Sequence, residues 1–219
     1  MPFVYAQGGR DRPQQGEDAF ALTGVRFHFT RQGFLRVDAG GGREAWARRE
    51  FPVRLWRTFG SGQLFRWLNV EGFLQFTLRS TYYDPVAPFT GSERALSFSA
   101  TAQPNEKLSQ QLWYDRRTFH RLSGGGRVFA VDIVNSRTTY QFDRHFSVRA
   151  IARYDSSRKR ILGDFLAAFE FVPGTVAYAG YGTLYERRGW NGQDWTTGEG
   201  GFLNTNRGFF LKLSYLYRF

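Results

Sequence analysis

Apolar and polar side chains alternate with a period of two along most of this chain, in segments too long for ordinary globular strands. In the last segment Phe209, Leu211, Leu213, Tyr215, Tyr217 and Phe219 fall on one face. Lys212, Ser214 and Arg218 fall on the other, with Phe210 and Leu216 among them. Ile161, Phe165, Ala167, Phe169 and Phe171 oppose Asp164 and Glu170. Phe146, Val148, Ala150, Ala152 and Tyr154 oppose Ser147, Arg149 and Arg153. Leu68, Val70, Leu74, Phe76 and Leu78 oppose Asn69, Glu71, Gln75, Thr77 and Arg79. A strand sends successive side chains to opposite faces, so each segment has an apolar side and a wet side. Segments 68–80, 128–142, 160–172, 175–186 and 207–219 each run for about a dozen residues. Crossing a membrane takes about 9–11 residues per strand, whereas globular strands average about 5–6. The expected fold class is all-β, an antiparallel up-and-down transmembrane β-barrel with about 11–12 strands visible. Residues 1–219 are read as one domain, the C-terminal portion of such a barrel. The competing reading, a soluble β-sandwich that acts as an interaction protein, predicts shorter strands.

Composition supports the membrane reading. Aromatic residues make up 18% of the chain, yet the mean hydropathy is −0.46. A soluble domain has little use for so many rings beside so much polarity, whereas a membrane barrel needs both. No stretch approaches the roughly 18 apolar residues of a spanning helix. The net charge is +11, and Lys107, Lys159 and Lys212 are the only lysines, so arginine carries most of it. These arginines are spread along the strands instead of forming one patch, which argues against a nucleic-acid partner and for a polar lumen or anionic lipid headgroups. Cysteine is absent, and His28, His120 and His145 lie far apart. Neither a disulfide framework nor a metal site is expected, and no phosphate-cradling motif is present, so no cofactor is expected.

Connections can be assigned to two sides by walking back from Phe219, placed at the periplasmic side. One set, 187–206, 156–159, 117–127, 81–93, 41–46 and 8–19, is expected to be long and external. The other set, 173–174, 143–145, 104–106, 60–67 and 31–33, is expected to be short and internal, the usual asymmetry of outer-membrane barrels. Pro173-Gly174, Asp143-Arg144 and Pro104-Asn105 are suitable turn formers. Pro2–Gln7 reads as the outer tip of an earlier strand. Met1-Pro2-Phe3 has neither a basic n-region nor an apolar core, so sequence is expected to be missing upstream.

The run Val131-Asp132-Ile133-Val134-Asn135-Ser136-Arg137-Thr138-Thr139-Tyr140-Gln141-Phe142 resembles a recurring strand of a known family, as does Phe146-Ser147-Val148-Arg149-Ala150-Ile151. Pro173-Gly174-Thr175-Val176, Gly180-Tyr181 and the run Phe210–Phe219 are similar too. The family is an uncharacterised group of outer-membrane β-barrels in which the barrel follows a family 9 carbohydrate-binding module. The resemblance covers roughly residues 68–219 and implies a bacterial outer-membrane location. It also implies a link to carbohydrate through an upstream module that this sequence does not contain. The terminal ladder Leu211, Leu213, Tyr215, Tyr217 and Phe219 resembles the signal read by the barrel-assembly machinery, which an edge strand would contact by β-augmentation.

The functional expectation is a non-enzymatic binding, transport-related or anchoring barrel in contact with outer-membrane lipid and lipopolysaccharide. Its candidate lumen residues are Arg79, Arg137, Arg149, Arg153, Asp164 and Glu170, with Glu71. A mixed-charge lumen is either a permeation path or salt-bridged packing in a narrow barrel. Trp190 and Trp195 are expected in the 187–206 loop, free to stack on a sugar or dock a protein, or simply to sit at the interface. The alternative of an outer-membrane hydrolase rests on His120 near Ser123 and Asp115, with no nucleophile motif beside them.

Overall fold

The computed structural model describes every residue except 12, 14, 15, 31 and 217–219. Its elements are all strands, which we number in chain order: β1 (Pro2–Asp11), β2 (Gly16–His28), β3 (Phe34–Trp46), β4 (Arg49–Phe65), β5 (Leu68–Tyr82), β6 (Phe89–Ala102), β7 (Leu108–Arg121), β8 (Arg127–Gln141), β9 (Phe146–Asp155), β10 (Arg160–Val172), β11 (Thr175–Trp190), β12 (Trp195–Thr197) and β13 (Gly201–Tyr215). The sheet order follows the chain from β1 to β12, each pairing with its sequence neighbour, and β13 pairs with β11. That is the up-and-down antiparallel layout of a β-barrel. All strands but β12 are 10–17 residues long, beyond the globular norm of about 5–6.

Two compact units make up the chain. The first comprises Met1–Leu64, Asn69–Phe98 and Asp115–Val131, and the second Phe65–Leu68, Ser99–Tyr114 and Asp132–Phe219. In the second unit the register separates the two faces of the sheet. Ala150, Phe165, Tyr181 and Phe209 form one continuous cross-strand row over β9, β10, β11 and β13. Val148, Ala167, Ala179 and Leu211 form the next, and Phe146, Phe169, Ala177 and Leu213 the one after. Residues directly opposite share a face, so these rows make one apolar surface. Its large members on β10 and β13 stay open: Phe165 is 48% exposed, Phe209 66% and Leu213 70%. Phe210 breaks the alternation for a local reason. Its ring fills the place where a side chain on Gly180, its cross-strand partner, would stand.

Several expected boundaries shift. The connections expected to be long are mostly strand. In place of the 8–19 loop β1 reaches Asp11 and β2 starts at Gly16, the 81–93 and 117–127 loops shorten to 83–88 and 122–126, and the 187–206 loop contains β12 and parts of β11 and β13. The 60–67 connection shortens to 66–67, because β4 runs on to Phe65. A ladder is held by backbone hydrogen bonds, so it continues past the residues whose side chains alternate. Pro2–Gln7 is likewise part of a ten-residue strand, paired with β2 from Pro2↔Val25 to Asp11↔Gly16. The expected turn at 41–46 is absent. Gly40, Gly41 and Gly42 lie inside β3, where a Cβ on Gly42 would run into the backbone of Ala19. The turn falls instead at Ala47-Arg48, both left-handed, with φ of 49° and 60°. A two-residue hairpin turn of this hand normally uses Asn-Gly, so no residue type marked it.

Candidate functional site

The face of the second unit opposite the apolar rows carries the charged residues of β9 and β10, whereas Arg207 on β13 stands on the apolar side, across from Thr183. Arg149 and Arg153 on β9 share it with Asp164 and Glu170 on β10 and with Lys212 on β13. Arg137 on β8 lies directly across from Ile151, which occupies the same face. Five of the six candidate lumen residues therefore stand on one side of one unit. The sixth, Arg79, belongs to the first unit, on the β5 face that also carries the buried Thr77 and Thr81.

Toward the β9–β10 turn this polar face holds a cavity of about 230 Å³ lined by Arg153, Asp155, Arg158, Arg160, Leu162 and Leu184. Asp155 supplies one negative charge there, and its Oδ1 accepts from the Ser157 hydroxyl at 2.6 Å and the Ser157 N–H at 2.9 Å. Arg160 is paired with Glu186 at 2.5 Å, which leaves Arg153 and Arg158 beside Asp155 as the groups suited to a planar anion, such as a carboxylate or phosphate.

Two buried carboxylates escaped the sequence reading. Asp38, 3% exposed, accepts from Arg36 Nε at 2.7 Å and from Arg57 Nε at 2.8 Å. Glu186, 4% exposed, accepts from Arg188 Nη2 at 2.7 Å and ion-pairs with Arg160 Nε at 2.5 Å. Their geometry is the same. One arginine sits two residues away on the acid's own strand, and the other sits directly across the ladder, Asp38↔Arg57 and Arg160↔Glu186. The sequence held half of this signal. Arg36-Val37-Asp38 and Glu186-Arg187-Arg188 each place opposite charges on one face at a spacing of two, but the third member is visible only once register is known.

Trp190 and Trp195 are brought together, although as paired strand residues and not as members of a free loop. They lie opposite each other across β11 and β12, with ring centroids 5.6 Å apart at 61°. The Asn191 side chain closes the hairpin by accepting from the Gln193 and Asp194 N–H groups at 2.9 and 2.7 Å. Of the terminal ladder, Leu211, Leu213 and Tyr215 share the exposed apolar face of β13, while Tyr217 and Phe219 lie outside the described residues. The histidine, serine and aspartate weighed for hydrolysis do not converge. Asp115 accepts from Ser97 Oγ on one face of β7, and alternation puts His120 on the other. No group of three or more His, Cys, Asp or Glu residues able to hold a metal ion occurs among the described residues.

No family model matches the chain, and no curated protein matches it either. Solved structures similar to it include a KdgM porin in complex with disordered oligogalacturonate, at 9% identity and a TM-score of 0.36, covering 100% of both chains. A NanC porin structure is similar at 13% identity and a TM-score of 0.39, covering 99% of this chain and 98% of the other.

Proposed function

We propose that this chain is the membrane-spanning part of a bacterial outer-membrane β-barrel, non-enzymatic, whose arginine-bearing face binds and passes anionic solutes. The observation that carries the reading is the partition of the second unit. Cross-strand rows of phenylalanine, leucine, alanine and tyrosine stay exposed on one face, and arginines with a smaller set of carboxylates occupy the other. An apolar face left open across several strands suits lipid, since soluble monomers rarely expose apolar patches of more than a few hundred Å². Strands of 10–17 residues can cross a hydrocarbon core about 30 Å thick at a tilt. The charge of the solute is supported by Arg153 and Arg158 around the cavity, which outnumber Asp155 once Arg160 is paired with Glu186.

Assembly through the terminal ladder belongs to the same reading. Leu211, Leu213 and Tyr215, with Tyr217 and Phe219 continuing the pattern in sequence, would present an edge to the assembly machinery. Reconstitution into planar bilayers tests the function. Under a potassium chloride gradient the reversal potential should show anion preference, and Arg153→Gln with Arg149→Gln should weaken it. Absence of conductance, or cation preference in the unaltered chain, overturns the reading.

A further inference from the structure

The end of β11 carries an aromatic pair that the proposed function leaves unused. Trp190 and Trp195 are 57% and 56% exposed, although tryptophan is a highly buried residue on average. Alternation fixes the face they occupy. Glu186 lies across from Arg160, and it pairs with Arg188 two residues on along β11. Trp190 is two residues further along the same strand, and Trp195 stands directly opposite it on β12. Both rings therefore stand on the side of the sheet that holds the cavity of Arg153, Arg158 and Leu184. That is the side assigned to solute in the proposed function, on which this inference rests.

Their height argues against the usual use of exposed tryptophan, as an anchor at the membrane interface. β11 has 16 residues. At about 3.3 Å per residue and a tilt of about 45°, such a strand rises roughly 37 Å. The apolar band of a membrane barrel is about 25 Å tall, with aromatic girdles at its borders. At the same rise Tyr185, across from Ile161 on the apolar side, stands roughly 26 Å up and fills the girdle position. The tryptophans stand roughly 12 Å beyond the band, in water. Their hairpin is tied to the β9–β10 turn, because Lys159 Nζ donates to Gly198 O at 2.8 Å and Arg187 N–H donates to Lys159 O at 3.1 Å. Arg158, next to Lys159 in the chain, is thereby set near the level of Arg188, and Trp190 lies two residues of strand, roughly 7 Å, above that level. The two rings are tilted at 61° with centroids 5.6 Å apart, so no third ring fits between them and a ligand would stack on an open face. Arg160 and Arg188 are committed to Glu186, which leaves Arg153 and Arg158 as the cations below the rings.

We propose that the tryptophan pair and the cavity below it form one site, for a ring-bearing organic anion. The ring would stack on Trp190 or Trp195, and the anionic group would pair with Arg158, backed by Arg153. A small inorganic anion uses the arginines alone, and a neutral ring uses the tryptophans alone. Only a solute that carries both groups a few ångströms apart engages the whole surface.

Three solutes at constant ionic strength separate the two halves of the site: cyclohexanecarboxylate, acetate and cyclohexanemethanol. Broadening of their proton resonances by the full chain in lipid vesicles, against vesicles without protein, gives the half-saturating concentration of each. Cyclohexanecarboxylate should bind about tenfold more tightly than either of the others, the lower part of the range for a ring stacked on an aromatic side chain. Trp190→Ala/Trp195→Ala should bind it no better than acetate, and Arg153→Gln/Arg158→Gln no better than cyclohexanemethanol. A chain that keeps only Trp190 and Trp195, with Trp46, Trp56, Trp67 and Trp113 changed to Phe, should shift its emission with the ring acid and not with acetate. Equal binding of the two carboxylates, or a ring advantage that survives the tryptophan variant, overturns this inference and leaves the anion-binding face standing. Binding of cyclohexanemethanol as tight as that of the ring acid overturns the role given to the arginines. Emission unmoved by the ring acid, the result expected if the pair is a contact for another protein, overturns stacking on the tryptophans. No binding of either carboxylate overturns the anion-binding face itself, and this site with it.

Discussion

Changing Asp38 to Asn should destabilise the protein by about 2–3 kcal/mol, more than almost any other isosteric exchange on the polar face. The carboxylate is 3% exposed and accepts two charged hydrogen bonds, at 2.7 and 2.8 Å. A hydrogen bond to a charged group contributes about 1.5–3 kcal/mol, and removing one partner of a buried ion pair costs about 3–5. The lower part of that range applies here. Arg36 and Arg57 are 29% and 28% exposed and regain water when the charge opposite them is lost, and an asparagine carbonyl still accepts one bond. Arg36 also keeps its place 4.5 Å from the Phe3 ring centroid, so the strand does not lose all its local packing. Equilibrium unfolding in urea, with the chain in lipid vesicles and tryptophan emission as the signal, measures the change. The companion variant Arg36→Met/Asp38→Leu/Arg57→Met should recover most of the loss, because it leaves no charge uncompensated. An Asp38→Asn effect within about 0.5 kcal/mol of zero, or a triple variant as unstable as the single one, would refute the argument that this acid is held by its two arginines.

Three further outcomes follow from local geometry. Replacing Ala47-Arg48 by Asn-Gly should stabilise the β3–β4 hairpin by about 1–2 kcal/mol, since both residues now sit in the left-handed region; urea unfolding reads the gain. Val148→Arg on the apolar face should cost about 2–4 kcal/mol in a bilayer, whereas Arg149→Gln one residue on should cost far less, and equal damage at both would favour a double-sided core. Asp143 accepts the His145 and Phe146 N–H groups at 2.7 and 2.9 Å, and these hold its carboxyl below the usual carboxylate range. A folded pKa below the unfolded one gives stability that is present above the unfolded value and lost as pH falls through the folded one. The stability gap between the unaltered chain and Asp143→Ala should therefore be constant near neutrality and close as the solution is acidified below about pH 4.

What the sequence made legible was the side of the sheet each residue occupies. The shared faces of Ala150 and Val148 on β9, Phe165 and Ala167 on β10, and Phe209 and Leu211 on β13 follow from period-two alternation alone, whereas the rows that join them depend on register. Strand ends were less legible. Gly40–Gly42 carry turn chemistry but serve close strand approach, and Ala47-Arg48 make a turn without carrying any. Local composition cannot separate these cases, since the deciding contact is with a neighbouring strand. The charge clusters were half legible for the same reason. Alternation puts Arg36 beside Asp38 and Glu186 beside Arg188, but Arg57 and Arg160 reach their partners through register, which no single segment encodes. Trp190 and Trp195 were placed in the right connection and given the wrong form, because the pairing that joins them is the three-residue strand β12.

The central claim is that one face of this sheet meets lipid and the other meets water. The chain contains no cysteine, so each single-cysteine variant carries one reporter thiol. A nitroxide placed in turn at Ile161, Leu162, Asp164, Phe165, Leu166, Ala167, Phe169 and Glu170 of β10, with the chain in lipid vesicles, reports collision rates with dissolved oxygen and with a water-soluble nickel complex. Labels at Ile161, Phe165, Ala167 and Phe169 should collide mainly with oxygen, which concentrates in the bilayer. Labels at Leu162, Asp164, Leu166 and Glu170 should collide mainly with nickel, giving a two-residue oscillation along the strand. Uniform access to nickel at all eight positions, or equal protection from both reagents, would contradict the account.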